Sequence, residues 1–320
     1  MAIPGWQRTE SPFHRGERAI QERLGALEQM DDFGRRIIRE FLPEQHRQFY
    51  AQLSYFLVGT VDGAGNPWAS ILVGKPGFIT TPNDRTLHIA AQPLSGDPLA
   101  ETLQVGRDIG FLGIELHTRR RNRVNGVVSA ITPDGFEVQV SQTFGNCPKY
   151  IQARQFDLAA FDPTATKPIH TLTSFGEVER EAIAAADTFF IATAYLDDAA
   201  GAARGVDVSH RGGNPGFVHI DSDTLTVPDF SGNGHFNTFG NIEVNPRAGL
   251  LFIDFEQGNL LYLTGRAEVI WDGEPEIAAY AGAERLFQFH LTQGIRVEGS
   301  LPLTWSTPDY SRFLAETGSW

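Results

Sequence analysis

Pro76-Gly77-Phe78 returns as Pro215-Gly216-Phe217, and the recurrence continues along the chain. Thr86-Leu87 returns as Thr224-Leu225, Gly110-Phe-Leu-Gly-Ile114 as Gly249-Leu-Leu-Phe-Ile253, and Asn125-Gly126 as Thr264-Gly265, at a spacing of 139 residues throughout, or 138 at Thr-Leu. Upstream, the helix-then-strand pattern of Gln45 to Val61 has a counterpart in Glu179 to Tyr195. A self-similar chain names its own architecture, because each copy has to bury its apolar face in the same way. The runs are short, rich in β-branched and aromatic residues and broken by Gly, Pro, Asn and Asp, as in Phe56-Leu-Val-Gly-Thr-Val followed by Asp62-Gly-Ala-Gly-Asn-Pro. Two β-barrel-like modules, each led by a helix, fit this pattern better than one large barrel.

The first 50 residues read differently. Glu17 to Leu27, Phe33 to Phe41 and Glu44 to Leu53 carry apolar residues at three- and four-residue spacing, the mark of amphipathic helices. The reading divides the chain into a helical arm (1–45), a first module (46–168) and a second module (169–320), joined at the Pro-rich stretch Phe161 to Pro168. The expected class is mainly β with flanking helices.

With 26 basic and 39 acidic residues the net charge is −13, which argues against affinity for nucleic acid or an anionic membrane. No apolar run approaches the roughly 18 residues of a membrane helix. The start of the chain lacks a secretory pattern and the sequence holds one cysteine, so a cytoplasmic address is expected. No metal-ligand spacing, P-loop, dinucleotide GxGxxG or Ser-His-Asp arrangement stands out, so the expectation is no metal.

Chemistry concentrates in three places. Leu225-Thr-Val-Pro-Asp-Phe-Ser-Gly-Asn-Gly-His-Phe-Asn237-Thr238 runs from a strand through a glycine-rich turn into a short helix, an arrangement that suits a phosphate and equally suits an N-capped helix after a loop. Ser209-His210-Arg211 lies on the preceding strand, from which an inward arginine reaches the same turn. In the first module, period-two spacing puts His117, Arg119, Arg121 and Arg123 on one strand face, a positive stripe that calls for a ligand anion or for acidic neighbours. The third place is Gly145-Asn-Cys147-Pro-Lys149-Tyr150. It reads either as a redox thiol beside a lysine or as the start of a helix with an inert thiol.

The stretch Phe236-Asn-Thr-Phe-Gly-Asn-Ile-Glu-Val-Asn-Pro246-Arg247-Ala-Gly-Leu-Leu-Phe252, continued by Leu263-Thr-Gly265-Arg266-Ala-Glu, resembles the FMN-binding split barrel of the pyridoxamine phosphate oxidase superfamily. Taken with Phe13-His14-Arg15-Gly16-Glu17, the arginine run and the Cys147 motif, the whole chain resembles that superfamily's two-module flavin-nucleotide-binding branch. The resemblance implies tandem FMN-binding split β-barrels. It also implies a cofactor site of Ser209, His210, Arg211, Asn237, Thr238 and Asn241, with Arg121 reaching over from the first module and Trp305 packing near the flavin. Asn237 and Thr238 stand where pyridoxamine phosphate oxidases place an Arg-Lys pair, so neutralisation falls to arginines elsewhere.

The family's substrate lysine falls near Phe217, and no substrate-phosphate set follows Ala267, so vitamin B6 oxidation is set aside. The implied function is an FMN-dependent oxidoreductase passing electrons or hydride between NAD(P)H and an unidentified small-molecule acceptor. The alternatives are a non-catalytic flavin or haem carrier or sensor, and a deazaflavin-dependent reductase. A homodimer is compatible with each of them, and catalytic residues are not assigned.

Overall fold

A computed structural model describes residues 4–162, 165–271, 277 and 280–320. Residues 163–164, inside the expected joint, and 272–276 and 278–279, inside the expected second module, lie outside the described residues.

Three helices open the chain: α1 (Arg15–Arg23), α2 (Leu27–Ile37) and α3 (Glu44–Ala51). The His14 ring accepts from the Gly16 amide and Glu17 reaches back to the His14 amide, so α1 begins two residues earlier than its apolar spacing suggests. It stops before Gly25, whose φ of +67° is open to glycine at little cost. The second helix accordingly spans Leu27–Ile37 and not Phe33 to Phe41.

The first sheet follows: β1 (Tyr55–Val61), β2 (Pro67–Val73), β3 (Ile79–Asn83), β4 (Thr86–Ile89), then α4 (Leu99–Thr102), β5 (Asp108–Glu115), β6 (Arg120–Thr132) and β7 (Gly135–Gly145). Their order across the sheet is β2-β1-β5-β6-β7-β4-β3. After β8 (Phe156–Leu158), β9 (Ile169–Leu172) and α5 (Glu177–Ala185) comes the second sheet. It comprises β10 (Thr188–Tyr195), β11 (Gly205–Gly212), β12 (His219–Asp221), β13 (Thr224–Asp229), then α6 (Asn237–Val244), β14 (Arg247–Ile253), β15 (Leu260–Ile270) and β16 (Arg285–Val297). The order β11-β10-β14-β15-β16-β13-β12 repeats that of the first sheet strand for strand, and β9 adds to it along β16. A last strand, β17 (Leu303–Trp305), pairs with β8.

The repeat in the sequence becomes a repeat in register. Gly110 faces Asn125 across β5 and β6, and Gly249 faces Thr264 across β14 and β15. These two glycines also bring the sheets together. A Cβ on Gly110 would lie 2.0 Å from the Val206 carbonyl oxygen, and one on Gly249 would lie 2.3 Å from that of Pro67. Each sheet thus lays its edge strand against an inner strand of the other, at a distance that only a residue without a side chain permits.

Apolar residues fill each sheet's own interior, with Phe56, Phe111 and Phe136 in the first and Phe189, Phe217 and Phe289 in the second. A third cluster, including Leu57, Ile71 and Leu112 from one sheet and Phe190, Val208 and Leu251 from the other, joins them. At roughly 1.5–3 kcal/mol per fully buried large apolar side chain, that shared cluster is a principal source of cohesion between the sheets. The fold is mainly β with flanking helices, and no helix among the described residues is long and apolar enough to cross a membrane.

Candidate functional site

A cleft of about 130 Å³ lies where the two sheets meet. Arg121, Arg123 and the Asn146–Tyr150 segment line it from the first sheet, and Ser209, His210, Arg211, Asp229, Asn237, Thr238 and Arg285 line it from the second. Tyr150, Phe230, Phe236 and Phe239 add aromatic walls.

The arginine run reaches this cleft only in part. Residues Leu116–Thr118 form a 3-10 turn and Arg119 takes φ +58°, so β6 starts at Arg120 and the expected four-residue stripe is broken. His117 and Arg119 leave the strand. Arg119 turns outward, its Nη2 lying 2.9 Å from Asp309 Oδ2 and its Nε donating to the Ile151 carbonyl at 3.0 Å. Arg121 and Arg123 remain on one face of β6 and point into the cleft.

Five cations therefore line the cleft, Arg121, Arg123, Lys149, Arg211 and Arg285, against a single carboxylate, Asp229. Three of them are paired. Arg123 Nη1 lies 3.0 Å from Asp207 Oδ1, Arg285 Nη1 lies 2.9 Å from Asp229 Oδ2, and Arg211 pairs with the other oxygen of Asp229. Arg285 also meets Glu284. Arg121 donates from Nε to the Cys147 carbonyl at 2.5 Å, and Lys149 sits 5.3 Å from the centre of the Phe313 ring. Among the described residues neither forms an ion pair. Burial, followed by repulsion from Arg123 and Arg211, holds the Arg121 guanidinium below its ordinary pKa, yet a guanidinium stays charged at neutral pH. Two cations without ion-pair partners among the described residues give this cleft a local positive charge in a chain of net charge −13.

The turn into α6 supplies neutral donors. Gly234 takes φ +75° and Phe236 φ +61°, left-handed positions that swing the chain into the helix. Thr238 and Ser209 share a hydroxyl contact of 2.9 Å, and Arg123 Nη2 donates to the same Ser209 oxygen. His210 is 6% exposed and its Nε2 has no partner among the described residues. Burial first, then the charges of Arg121 and Arg211, push its pKa well down, which keeps the imidazole neutral.

Beneath the turn runs a buried polar network tied to α1. His14 Nε2 meets Asn241 Oδ1 at 2.9 Å, and Asn241 Nδ2 donates to Asp207 Oδ2 at 2.8 Å and to Thr193 Oγ1 at 3.1 Å. The Asn237 amide donates to Glu17, whose carboxyl is pushed well up by burial and then by Asp207. Burial lowers the His14 pKa to about 4. Arg123 thus links this network to the cleft through Asp207.

Of the residues expected at the site, Ser209, His210, Arg211, Asn237, Thr238 and Arg121 come together here. Asn241 does not. It is not among the residues lining the cleft and is 1% exposed, with its amide oxygen and nitrogen both engaged. Trp305 is elsewhere too, on β17, where it packs edge-on to Tyr55 and Phe255. The Asn146–Pro148 segment forms no helix, and Cys147 is a half-buried thiol on the cleft wall.

Sequence reasoning passed over three members of the site. In the sequence Lys149 stands out only as a neighbour of Cys147. Asp229 was visible as a carboxylate just before the glycine turn, whereas Arg285 lies on a strand with no motif and gave no signal.

No curated protein matches this chain. Solved structures that it resembles include HupZ of Group A Streptococcus (17% identity, 37% of this chain and 89% of that one, TM-score 0.29). Others are a FAD-binding protein of Mesorhizobium loti (13%, 40% and 97%, 0.27) and HutZ, a haem storage protein of Vibrio cholerae (18%, 39% and 95%, 0.27). The family model of pyridoxamine 5′-phosphate oxidase matches residues 175–313, a span that contains the second sheet from β10 to β16 and the turn into α6. It is over that span, residues 175–313, that the chain is similar to the pyridoxamine 5′-phosphate oxidase family.

Proposed function

We propose that the cleft binds FMN and that the chain is an FMN-dependent oxidoreductase distinct from pyridoxamine phosphate oxidase. One observation carries this reading: Arg121 and Lys149 are cations without ion-pair partners among the described residues, at the meeting of the two sheets. A phosphate monoester brings a charge of about −1.5 to −2 at neutral pH, which matches the two. The remaining donors suit the rest of a flavin nucleotide. Ser209 and Thr238 present hydroxyls, Arg211 is steadied by Asp229, and Tyr150, Phe230, Phe236 and Phe239 offer faces for a flat ring.

Bound FMN would supply hydride or electron transfer. The chain's own part is to neutralise the phosphate with Arg121 and Lys149, to hold Arg211 in place through Asp229, and to keep water from the ring with the aromatic walls. His210 stays neutral and adds no charge to the site. NAD(P)H is the proposed reductant and a small molecule the proposed acceptor. A deazaflavin would use the same donors and is told apart by its absorbance maximum. Haem is the reading that His210 favours, since its Nε2 is unpartnered, and a Soret band would establish it.

The matching strand orders support the reading that one module was duplicated, with an arm at 1–45 and modules at 46–168 and 169–320. The test is anaerobic stopped flow on the FMN-loaded protein. Bleaching of the flavin by NADH or NADPH, with colour returning on addition of an acceptor, is the expected result. A bound flavin that neither nicotinamide reduces would leave a carrier or sensor.

A further inference from the structure

The outline of the cleft occurs twice in this chain, once at each crossing of the two sheets. Across β10 and β11, Ser209 and Arg211 face Ile191 and Phe189; in the first sheet the corresponding places, facing Val58 and Phe56, hold Ser70 and Leu72. Arg121 and Arg123 face Ile114 and Leu112, and their counterparts, facing Ile253 and Leu251, are Leu260 and Tyr262. Asn237-Thr238 at the head of α6 corresponds to Pro98-Leu99 at the head of α4. Gly110 against Val206 and Gly249 against Pro67 show that the two crossings are built alike.

Their contents are opposite in character. Leu72, Leu99, Leu260 and Tyr262 are each 0% exposed, packed as core where the first crossing has an open cleft. At the centre lies Asp97, which accepts from Ser70 Oγ at 2.6 Å, the Leu99 amide at 2.8 Å and Tyr262 Oη at 3.2 Å. In the cleft, Arg123 of the first sheet reaches Ser209 of the second. At the counterpart, Tyr262 of the second sheet reaches Ser70 of the first through a carboxylate that the chain itself provides. The donors that would receive an anion are already engaged, and the places matching Arg211, Arg121 and Arg123 are taken by Leu72, Leu260 and Tyr262.

We infer that this second crossing is a closed cofactor site, so that each chain holds one flavin nucleotide, and that both walls of that one site come from the same chain. The inference rests on the reading of the open cleft as an FMN site. Closure also fixes a division of labour: the first sheet contributes the two cations without carboxylate partners among the described residues, Arg121 and Lys149, and the second contributes the hydroxyls, the glycine turn and the carboxylate-paired Arg211 and Arg285.

Two measurements test it, and they fail separately. In a Cys147→Ser background, the corresponding variants Ser209→Cys and Ser70→Cys are treated with a thiol reagent under native conditions. Ser209→Cys is expected to react at least about 100-fold faster, because a thiol at position 70 needs local unfolding to reach the reagent. Comparable rates would mean the second crossing is open and would overturn the inference whether or not flavin binds. FMN is then titrated into the apoprotein and the complex weighed by native mass spectrometry. One FMN on a single chain is expected, and weaker occupancy in Arg121→Gln would place it in the open cleft. Two per chain, or one per two chains, would overturn the inference. No binding at all would remove the FMN reading, and the thiol pair would still decide closure.

Discussion

Arg121 is half-buried at the cleft without a carboxylate partner among the described residues, and that position decides what the cleft can hold. Removing a charge-assisted contact to a phosphate costs on the order of 1.5–3 kcal/mol, so Arg121→Gln should weaken FMN roughly 10- to 100-fold. Fluorescence titration would measure this. Trp305→Phe, far from the cleft among Tyr55, Phe156 and Phe255, should leave the affinity unchanged. The contrast separates a site at the sheet crossing from one reaching β17. Arg121 and Arg211 were legible in the sequence because strand alternation dictates which side chains share a face. The stripe around Arg121 was overextended because a 3-10 turn and one left-handed residue broke the strand. Asn241 was misplaced for a different reason. The rotation of α6 about its axis is set by packing against a segment more than 200 residues earlier in the chain, which local spacing does not encode.

That segment is α1, and the two helices meet at a pair of glycines. A Cβ on Gly16 would lie 2.0 Å from the Gly240 carbonyl oxygen, and one on Gly240 would lie 2.6 Å from the Glu17 amide nitrogen. Backbone occupies both places, so neither can yield by rotating a side chain. Gly16→Ala should therefore destabilise the protein by at least about 1–3 kcal/mol, as overpacking does, seen as a lower urea midpoint with unchanged slope. It should also weaken FMN, since α1 holds Asn237 at the head of α6 through Glu17. An unchanged midpoint would mean that the two helices do not pack this closely. The existence of the helices was readable from apolar spacing, whereas their ends were not, because His14 and Gly25 set them through caps and backbone angles. The role of the His14-Arg-Gly-Glu17 motif became visible only once α6 lay against it.

Across the whole molecule the joint between the sheets should respond to pH through Asp97. Burial raises its pKa to about 6 from an ordinary 3.8, so the folded state binds the proton more tightly than the unfolded chain. Stability from this group is thus greatest below about pH 4 and declines as pH rises to about 6, after which it stays level. Asp97→Asn, which keeps an acceptor for Ser70, should remove the decline. Relative to the parent it should gain up to about 3 kcal/mol above pH 6 and little near pH 4, as measured by denaturant midpoints across that range. A constant difference between the two proteins at all pH values would contradict a buried carboxylate at this joint. The likeness of the two halves was the most legible property of the sequence, since turns and glycines recur wherever backbones turn or meet closely. Their inequality was not. It lies in which of the matching positions carry charge, and only the crossing of the sheets shows that Arg121 and Leu260 play opposite parts. The most direct test of the central claim is the absorbance spectrum of the freshly purified protein, with the released chromophore weighed by mass spectrometry. A flavin spectrum and the mass of FMN are predicted; a colourless protein that refuses added FMN would contradict the account.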